Sequence, residues 1–151
     1  MKIVLDKGAK MPTRAHETDA GYDLYAPCDE IVPHSDTNSF GLGLFGGAYV
    51  GSTTIDTGVH VEIPRGYVGF IKSKSGLNVK HGLTAEGVID SGYTGSIVVK
   101  LYNHTNKDYA IDKGDKIAQL VILPIITPDL ELVDSLEETD RGSGGFGSTG
   151  R

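Results

Sequence analysis

Asp90 closes an apolar run, and Tyr93 follows three residues later across a glycine, in Glu86-Gly-Val-Ile-Asp-Ser-Gly-Tyr-Thr-Gly95. A carboxylate on the rim of such a turn can act as a general base, although an Asp that begins a turn is commonly only a turn former. Lys72-Ser-Lys-Ser-Gly-Leu77 joins two lysines and two serines to a helix start, a seat suited to phosphate oxygens. Gln119 is a lone amide within Ile117-Ala-Gln-Leu-Val-Ile-Leu123, where a satisfied core or edge glutamine is the plain alternative to a ligand-binding one. The last eleven residues, Arg141-Gly-Ser-Gly-Gly-Phe-Gly-Ser-Thr-Gly-Arg151, hold five glycines, two serines, a threonine, two arginines and one phenyl ring. Glycines let successive N–H groups curl around an anion, the hydroxyls and guanidinium add donors, and Phe146 offers a stacking face for a base. A nucleoside triphosphate needs both functions, and a segment that is loose when empty and closes over a ligand would serve. No lysine follows the glycines, which argues against a P-loop.

Composition narrows the ligand further. The 151 residues suffice for one hydrophobic core, and a net charge of −6 repels nucleic-acid polymers. A phosphate site must then be a local basic pocket on an acidic body, which favours a small anion over DNA or RNA. Cys28 is the single cysteine, so an internal disulfide and a thiolate metal cluster are excluded and a reducing compartment fits. The five histidines, at 16, 34, 60, 81 and 104, show no metal-ligand spacing. No apolar run reaches membrane length, and charge and glycine interrupt the first residues before a secretory core could form. A soluble, cytoplasmic protein without membrane attachment is expected.

The elements that must hold these groups read as all-β. Thr53–Thr57, Val59–Ile63, Tyr67–Ile71, Ser96–Tyr102 and Ile117–Leu123 are short, β-branched and bounded by Gly, Pro or Asp, which predicts strands. Turn signals recur at sandwich or barrel intervals, and the 21 glycines fall between strands rather than in one linker. One helix of about two turns is predicted from Ser75 to His81, and the Asp90–Tyr93 segment is predicted to turn a hairpin with a pocket-facing rim. Residues 1–140 form the expected β domain, 141–151 a flexible arm. The Gly-rich Phe40–Gly47 reads as a surface insertion, and the acidic stretch Asp129–Asp140 as a solvated arm.

Taken in order, Ala20-Gly-Tyr-Asp-Leu-Tyr25, Lys74-Ser-Gly-Leu77, Gly87-Val-Ile-Asp-Ser-Gly-Tyr-Thr-Gly95, Gly114-Asp-Lys-Ile-Ala-Gln-Leu120 and Arg141-Gly-Ser-Gly-Gly-Phe-Gly-Ser-Thr149 resemble the five ordered motifs of the trimeric dUTP pyrophosphatases. The resemblance spans about residues 19–150. It implies a distorted jelly-roll subunit with one short helix. It implies further a homotrimer whose three active sites each draw on all three chains, and hydrolysis of dUTP to dUMP and pyrophosphate, which lowers dUTP and supplies dUMP for thymidylate synthesis.

By the same resemblance Asp90 activates the water that attacks the α-phosphorus, and Tyr93 lies under the deoxyribose and leaves no room for a 2′-hydroxyl. Backbone groups around Thr84, Gly87, Val88, Ile89 and Val98 pair with uracil, whose acceptor–donor–acceptor edge cytosine cannot present without leaving a buried group unpaired. Lys74, Ser75, Gly76 and Gln119 hold phosphates. Arg141, Gly145, Gly147, Ser148 and Thr149 grip the γ-phosphate while Phe146 stacks on the base. Mg2+ is carried by the phosphates and waters, and Asp23 touches it through water. Lys74 stands where the family mostly has Arg, which keeps the charge and loses the planar fork. The chain also exceeds a compact member by roughly fifteen residues, at about 35–51 by this resemblance. Two other readings differ in class: a dCTP deaminase of the same fold, whose Ser-Ser-x-x-Arg element is not found, and a nucleotide-dependent regulatory protein that binds a partner through the insertion.

Overall fold

The computed structural model describes residues 1–35 and 49–144. The Phe40–Gly47 segment and the site residues Gly145, Phe146, Gly147, Ser148 and Thr149 lie outside the described residues.

Among the described residues ten strands and one helix follow in order: β1 (Ile3–Leu5), β2 (Gly21–Tyr25), β3 (Glu30–Val32), β4 (Gly51–Asp56), β5 (Val59–Val61), β6 (Tyr67–Ser73), α1 (Ser75–His81), β7 (Leu83–Ile89), β8 (Val98–Asn103), β9 (Tyr109–Ile111) and β10 (Lys116–Pro124). The principal sheet runs β2-β10-β6-β7-β8-β4, with β1-β5 and β3-β9 as separate two-stranded pairs. Every pairing is antiparallel. The all-β jelly-roll architecture with one short helix is borne out.

Alternation decides which face is buried. In β8, Val99, Leu101 and Asn103 point inward while Val98 and Lys100 point out, the period-two pattern of a half-buried strand. Leu24, Ile55, Ile71, Leu83, Ile97, Leu101, Ile111, Ile117 and Leu120 are fully enclosed in a single core. Each such side chain contributes about 1.5–3 kcal/mol of burial. Asn103 is buried among them and satisfied: its amide donates to the carbonyls of Val32 and Lys107.

The helix spans the predicted residues. It stops at Gly82, whose φ of 64° is left-handed and whose N–H reaches the carbonyls of Asn78 and Leu77. Its start differs from a usual cap: Lys74 takes the N-cap position with no side-chain capping bond, leaving the first-turn N–H groups of Ser75 and Gly76 uncapped. The acidic stretch from Asp129 is exposed and carries no strand. Its leucines are exposed too, Leu130 at 98% and Leu132 at 99%.

Candidate active site

The turn after β7 is tight. The Tyr93 N–H donates to the Asp90 carbonyl at 3.2 Å, and Gly92 supplies the left-handed φ of 91° that closes it. Asp90 therefore stands at the lip of the β7–β8 hairpin, as the sequence predicts. Below it the hairpin arms part. The β7–β8 ladder runs only from Leu83–Asn103 through Thr84–Tyr102 to Ala85–Leu101. Beyond Ala85, Glu86–Ile89 pair with β6, and Val98–Lys100 pair with β4. The facing edges of the two arms are thus free of ladder partners, which leaves backbone donors and acceptors for a flat polar ligand.

Val88, Ile89, Asp90, Tyr93, Ser96 and Val98 line a cavity of about 210 Å³ in that opening. The volume falls below the roughly 300–1,000 Å³ of drug-sized sites, a size suited to a nucleoside with its phosphates outside. Gly87 sits on the β7 arm opposite Ile71, and Thr84 lies at the closed end, where its hydroxyl meets His104 Nε2 at 2.8 Å. Tyr93 folds back over its own turn, its hydroxyl donating to the Ser96 carbonyl at 3.0 Å. A Cβ on Gly95 would lie 2.4 Å from that hydroxyl, so only glycine admits this ring position.

The residues expected to hold phosphates gather elsewhere. Asp23, Gln119, Lys72 and Glu86 form one row across β2, β10, β6 and β7, because Gln119 is in register with both Asp23 and Lys72, and Lys72 with Glu86. Gln119 donates to the Ser73 carbonyl at 3.1 Å and lies over Gly21, where a Cβ would come 2.5 Å from its Oε1. Asp23 is only 4% exposed, and its two oxygens meet Lys74 Nζ at 2.5 Å and Lys116 Nζ at 2.7 Å. Burial pushes this carboxyl up, and the two ammonium groups more than offset it, holding it below the ordinary carboxylate range.

Register separates the two centres. Lys72 pairs with Glu86; Lys74 lies two residues beyond that pair at one end and Asp90 four residues beyond it at the other. At about 3.3 Å per residue they are roughly 20 Å apart within one chain. In one subunit Asp90 and the Lys74 turn thus lie toward opposite ends of the β6–β7 pair. Arg141 is exposed and its Nε donates to the Gly144 carbonyl at 3.1 Å.

Sequence reasoning missed three groups. Lys116 was visible as a cation three residues before Gln119, yet its partner Asp23 is distant in sequence. Asp56 and His60 carried no signal: they reach the active-site turn only through the fold, Asp56 by accepting from the Ser96 hydroxyl and His60 by its Nδ1, 2.9 Å from the Thr94 carbonyl.

A family model described as dUTPase matches residues 7–150. The deoxyuridine 5′-triphosphate nucleotidohydrolase of Kluyveromyces lactis is 42% identical over 145 residues, covering 95% of this chain and 88% of that one. The protein of the same name from Paramecium bursaria Chlorella virus 1 is also 42% identical, covering 97% and 94%. Among solved structures, the Staphylococcus bacteriophage 80alpha dUTPase with dUpNHpp aligns with a TM-score of 0.83 at 33% identity, covering 99% of this chain and 98% of that one. A mutant dUTPase from phage phi11 of S. aureus, described with a structural Mg(II) ion, aligns with a TM-score of 0.73 at 31% identity, covering 91% and 98%.

Proposed function

The chain belongs to the dUTPase family and is a dUTP diphosphatase, hydrolysing dUTP to dUMP and pyrophosphate; on that premise we propose that Asp90 is its general base and that each active site is shared among subunits of a homotrimer. The observation that carries this reading is the parted β7–β8 hairpin with Asp90 and Tyr93 at its mouth. Uracil enters between the arms and meets backbone groups of Gly87, Val88, Ile89 and Val98, with Thr84 at the closed end. The Tyr93 ring lies under the sugar.

Asp90 accepts a proton from a water as that water's oxygen bonds to the α-phosphorus. The bond from the α-phosphorus to the oxygen bridging it to the β-phosphate breaks, and pyrophosphate leaves. Lys74, Ser75, Gly76 and Gln119, supplied by a neighbouring subunit, offset the charge of the phosphates, and the uncapped N–H groups of Ser75 and Gly76 suit that task. Arg141 and the donors Gly145, Gly147, Ser148 and Thr149 close over the γ-phosphate, with Phe146 on the base.

The separation of Asp90 from Lys74 supports the shared site, as do the exposed leucines beyond Pro128, which a lone subunit leaves in water. Among the described residues no group of three or more side chains could hold a metal ion. Asp23 lies beside the Lys74 turn, and once a phosphate draws Lys74 away the oxygen it leaves would touch, through water, an Mg2+ carried by the triphosphate. Bound there, the ion would neutralise triphosphate charge. No helix among the described residues is long and apolar enough to cross a membrane. A cytoplasmic place of work fits the single exposed thiol, Cys28, and a nucleotide substrate. Pyrophosphate release measured with dUTP, dCTP and UTP tests the assignment: release from dUTP alone is expected, and release from dCTP or UTP at a comparable rate overturns the uracil and deoxyribose recognition.

A further inference from the structure

The Tyr93 ring is held by a chain of contacts that begins outside the cavity. Its hydroxyl hangs on the Ser96 carbonyl, and the Ser96 side chain donates to Asp56 Oδ1 at the end of β4. Asp56 also accepts from the Gly58 N–H at 3.0 Å, which fixes the carboxylate rather than leaving it to swing. One residue on, Ile97 is tied at both ends: its N–H donates to the Val59 carbonyl at 2.8 Å, and its carbonyl receives the Thr57 N–H at 3.1 Å and the Thr57 hydroxyl at 2.7 Å. On the near side of Gly95, His60 from β5 meets the Thr94 carbonyl at 2.9 Å through Nδ1, while its Nε2 lies 3.3 Å from Asp6 Oδ2. Both residues flanking Gly95 are therefore gripped by the β4–β5 corner. Neither Asp56 nor His60 lines the cavity.

A ring that discriminates by shape is only as selective as its placement is firm. A missing hydroxyl is recognised by lack of room, and an ångström of slack admits what a fixed ring excludes. We propose that Asp56 and His60 are positioning residues that clamp the turn on either side of Gly95, and that this clamp sets how strongly the enzyme rejects ribonucleotides. The inference rests on the Tyr93 role given above. It adds two residues that touch neither substrate nor metal.

The test compares kcat and KM for dUTP and UTP in wild type, Asp56→Ala, Ser96→Ala, His60→Ala and His60→Asn, with subunit mass and thermal unfolding recorded for each. Gly95→Ala, which pushes on the ring directly, is the positive control. Asp56→Ala and Ser96→Ala are expected to lower the dUTP-to-UTP ratio of kcat/KM roughly tenfold, mostly through KM. Their double mutant should match Asp56→Ala, because without that carboxylate the Ser96 hydroxyl has no bond to it left to lose. His60→Ala should act in the same direction, and His60→Asn should recover most of the ratio because its amide sits where Nδ1 donates to Thr94. A ratio that stays at the wild-type value, or constants for both nucleotides that fall in proportion, overturns the clamp. Wild-type enzyme that hydrolyses UTP as well as dUTP would instead remove the sugar-recognition reading beneath it.

Discussion

Lys116 Nζ lies 2.7 Å from Asp23 Oδ2, and this contact leaves the opposite oxygen to Lys74. A carboxylate this buried is costly to keep ionised, and two cations on its two oxygens make it tolerable. The partnership also raises the Lys116 ammonium above its ordinary range, first through the Asp23 hydrogen bond. When a triphosphate draws Lys74 away, Lys116 is the cation that stays. Replacing Lys116 with Met should therefore destabilise the fold, though less than breaking a fully buried pair does, because both lysine heads reach solvent. Lys116→Arg should hold near wild type. Chemical denaturation of the three proteins decides, and a Met variant as stable as wild type would contradict the role.

The Asp23 carboxyl is held below its unfolded value of 3.8, so its stabilisation is complete above that value and is lost as pH falls through the lower folded one. Acid unfolding of the wild type should carry this component below about pH 4. In Asp23→Asn the whole molecule should be less stable at neutral pH, and the difference from wild type should shrink as pH falls below 3.8. A difference that stays constant across that window would show that Asp23 does not titrate with folding.

His60 works with the opposite sign. The Thr94 carbonyl first, and then the Asp6 carboxylate, raise its pKa above 6.5, with Asp56 adding to the same field. Stability from the protonated ring is complete below 6.5 and is lost as pH rises through the higher folded value. His60→Asn keeps a neutral donor to Thr94 and loses the charge. The thermal midpoint of wild type should exceed that of His60→Asn at pH 6 and converge with it by about pH 9. Parallel midpoints across that range would remove the charge from the account.

Asp90→Asn preserves the shape of the turn and removes the proton acceptor. Turnover of dUTP should fall by a factor on the order of hundreds or more, while affinity for a non-hydrolysable dUTP analogue holds within a few-fold. Near-normal turnover would unseat Asp90 as the base. Because Asp90 and Lys74 stand roughly 20 Å apart in one chain, Asp90→Asn and Lys74→Ala subunits, each poorly active alone, should regain activity when refolded together. A mixture no better than its parts would mean that the site is not shared.

Much of this was legible in the sequence, and what was not shares one cause. Tyr67–Ile71 and Ile117–Leu123 announced β6 and β10 because alternation and β-branching are local, and Ser75–His81 announced α1 because Ser75-Gly76 opens it and Leu77 and Lys80 lie three apart. The Asp90–Tyr93 turn was legible through Gly92. Lys116 with Asp23, and Asp56 with Ser96, are joined only by the sheet order β2-β10-β6-β7-β8-β4, which no local pattern states. The acidic stretch Asp129–Asp140 was legible as a solvated arm because its charges are local, and the structure leaves it exposed, Leu130, Leu132 and Leu136 included.

The Gly-rich tail can be tested with light, because the chain has no tryptophan. In Phe146→Trp the indole reports its own surroundings without background. Stacking on uracil requires the tail to close over a bound nucleotide, so emission should change when a non-hydrolysable dUTP analogue and Mg2+ are added together. Truncation after Asp140 removes Arg141 and the Gly145–Thr149 donors, the groups proposed to oppose γ-phosphate charge, and should abolish most turnover. The β core keeps all its strands in that variant, since the last of them ends at Pro124, so thermal unfolding should be nearly unchanged. Fluorescence indifferent to the nucleotide, or a truncated enzyme that hydrolyses dUTP normally, would leave the tail without a part in the reaction.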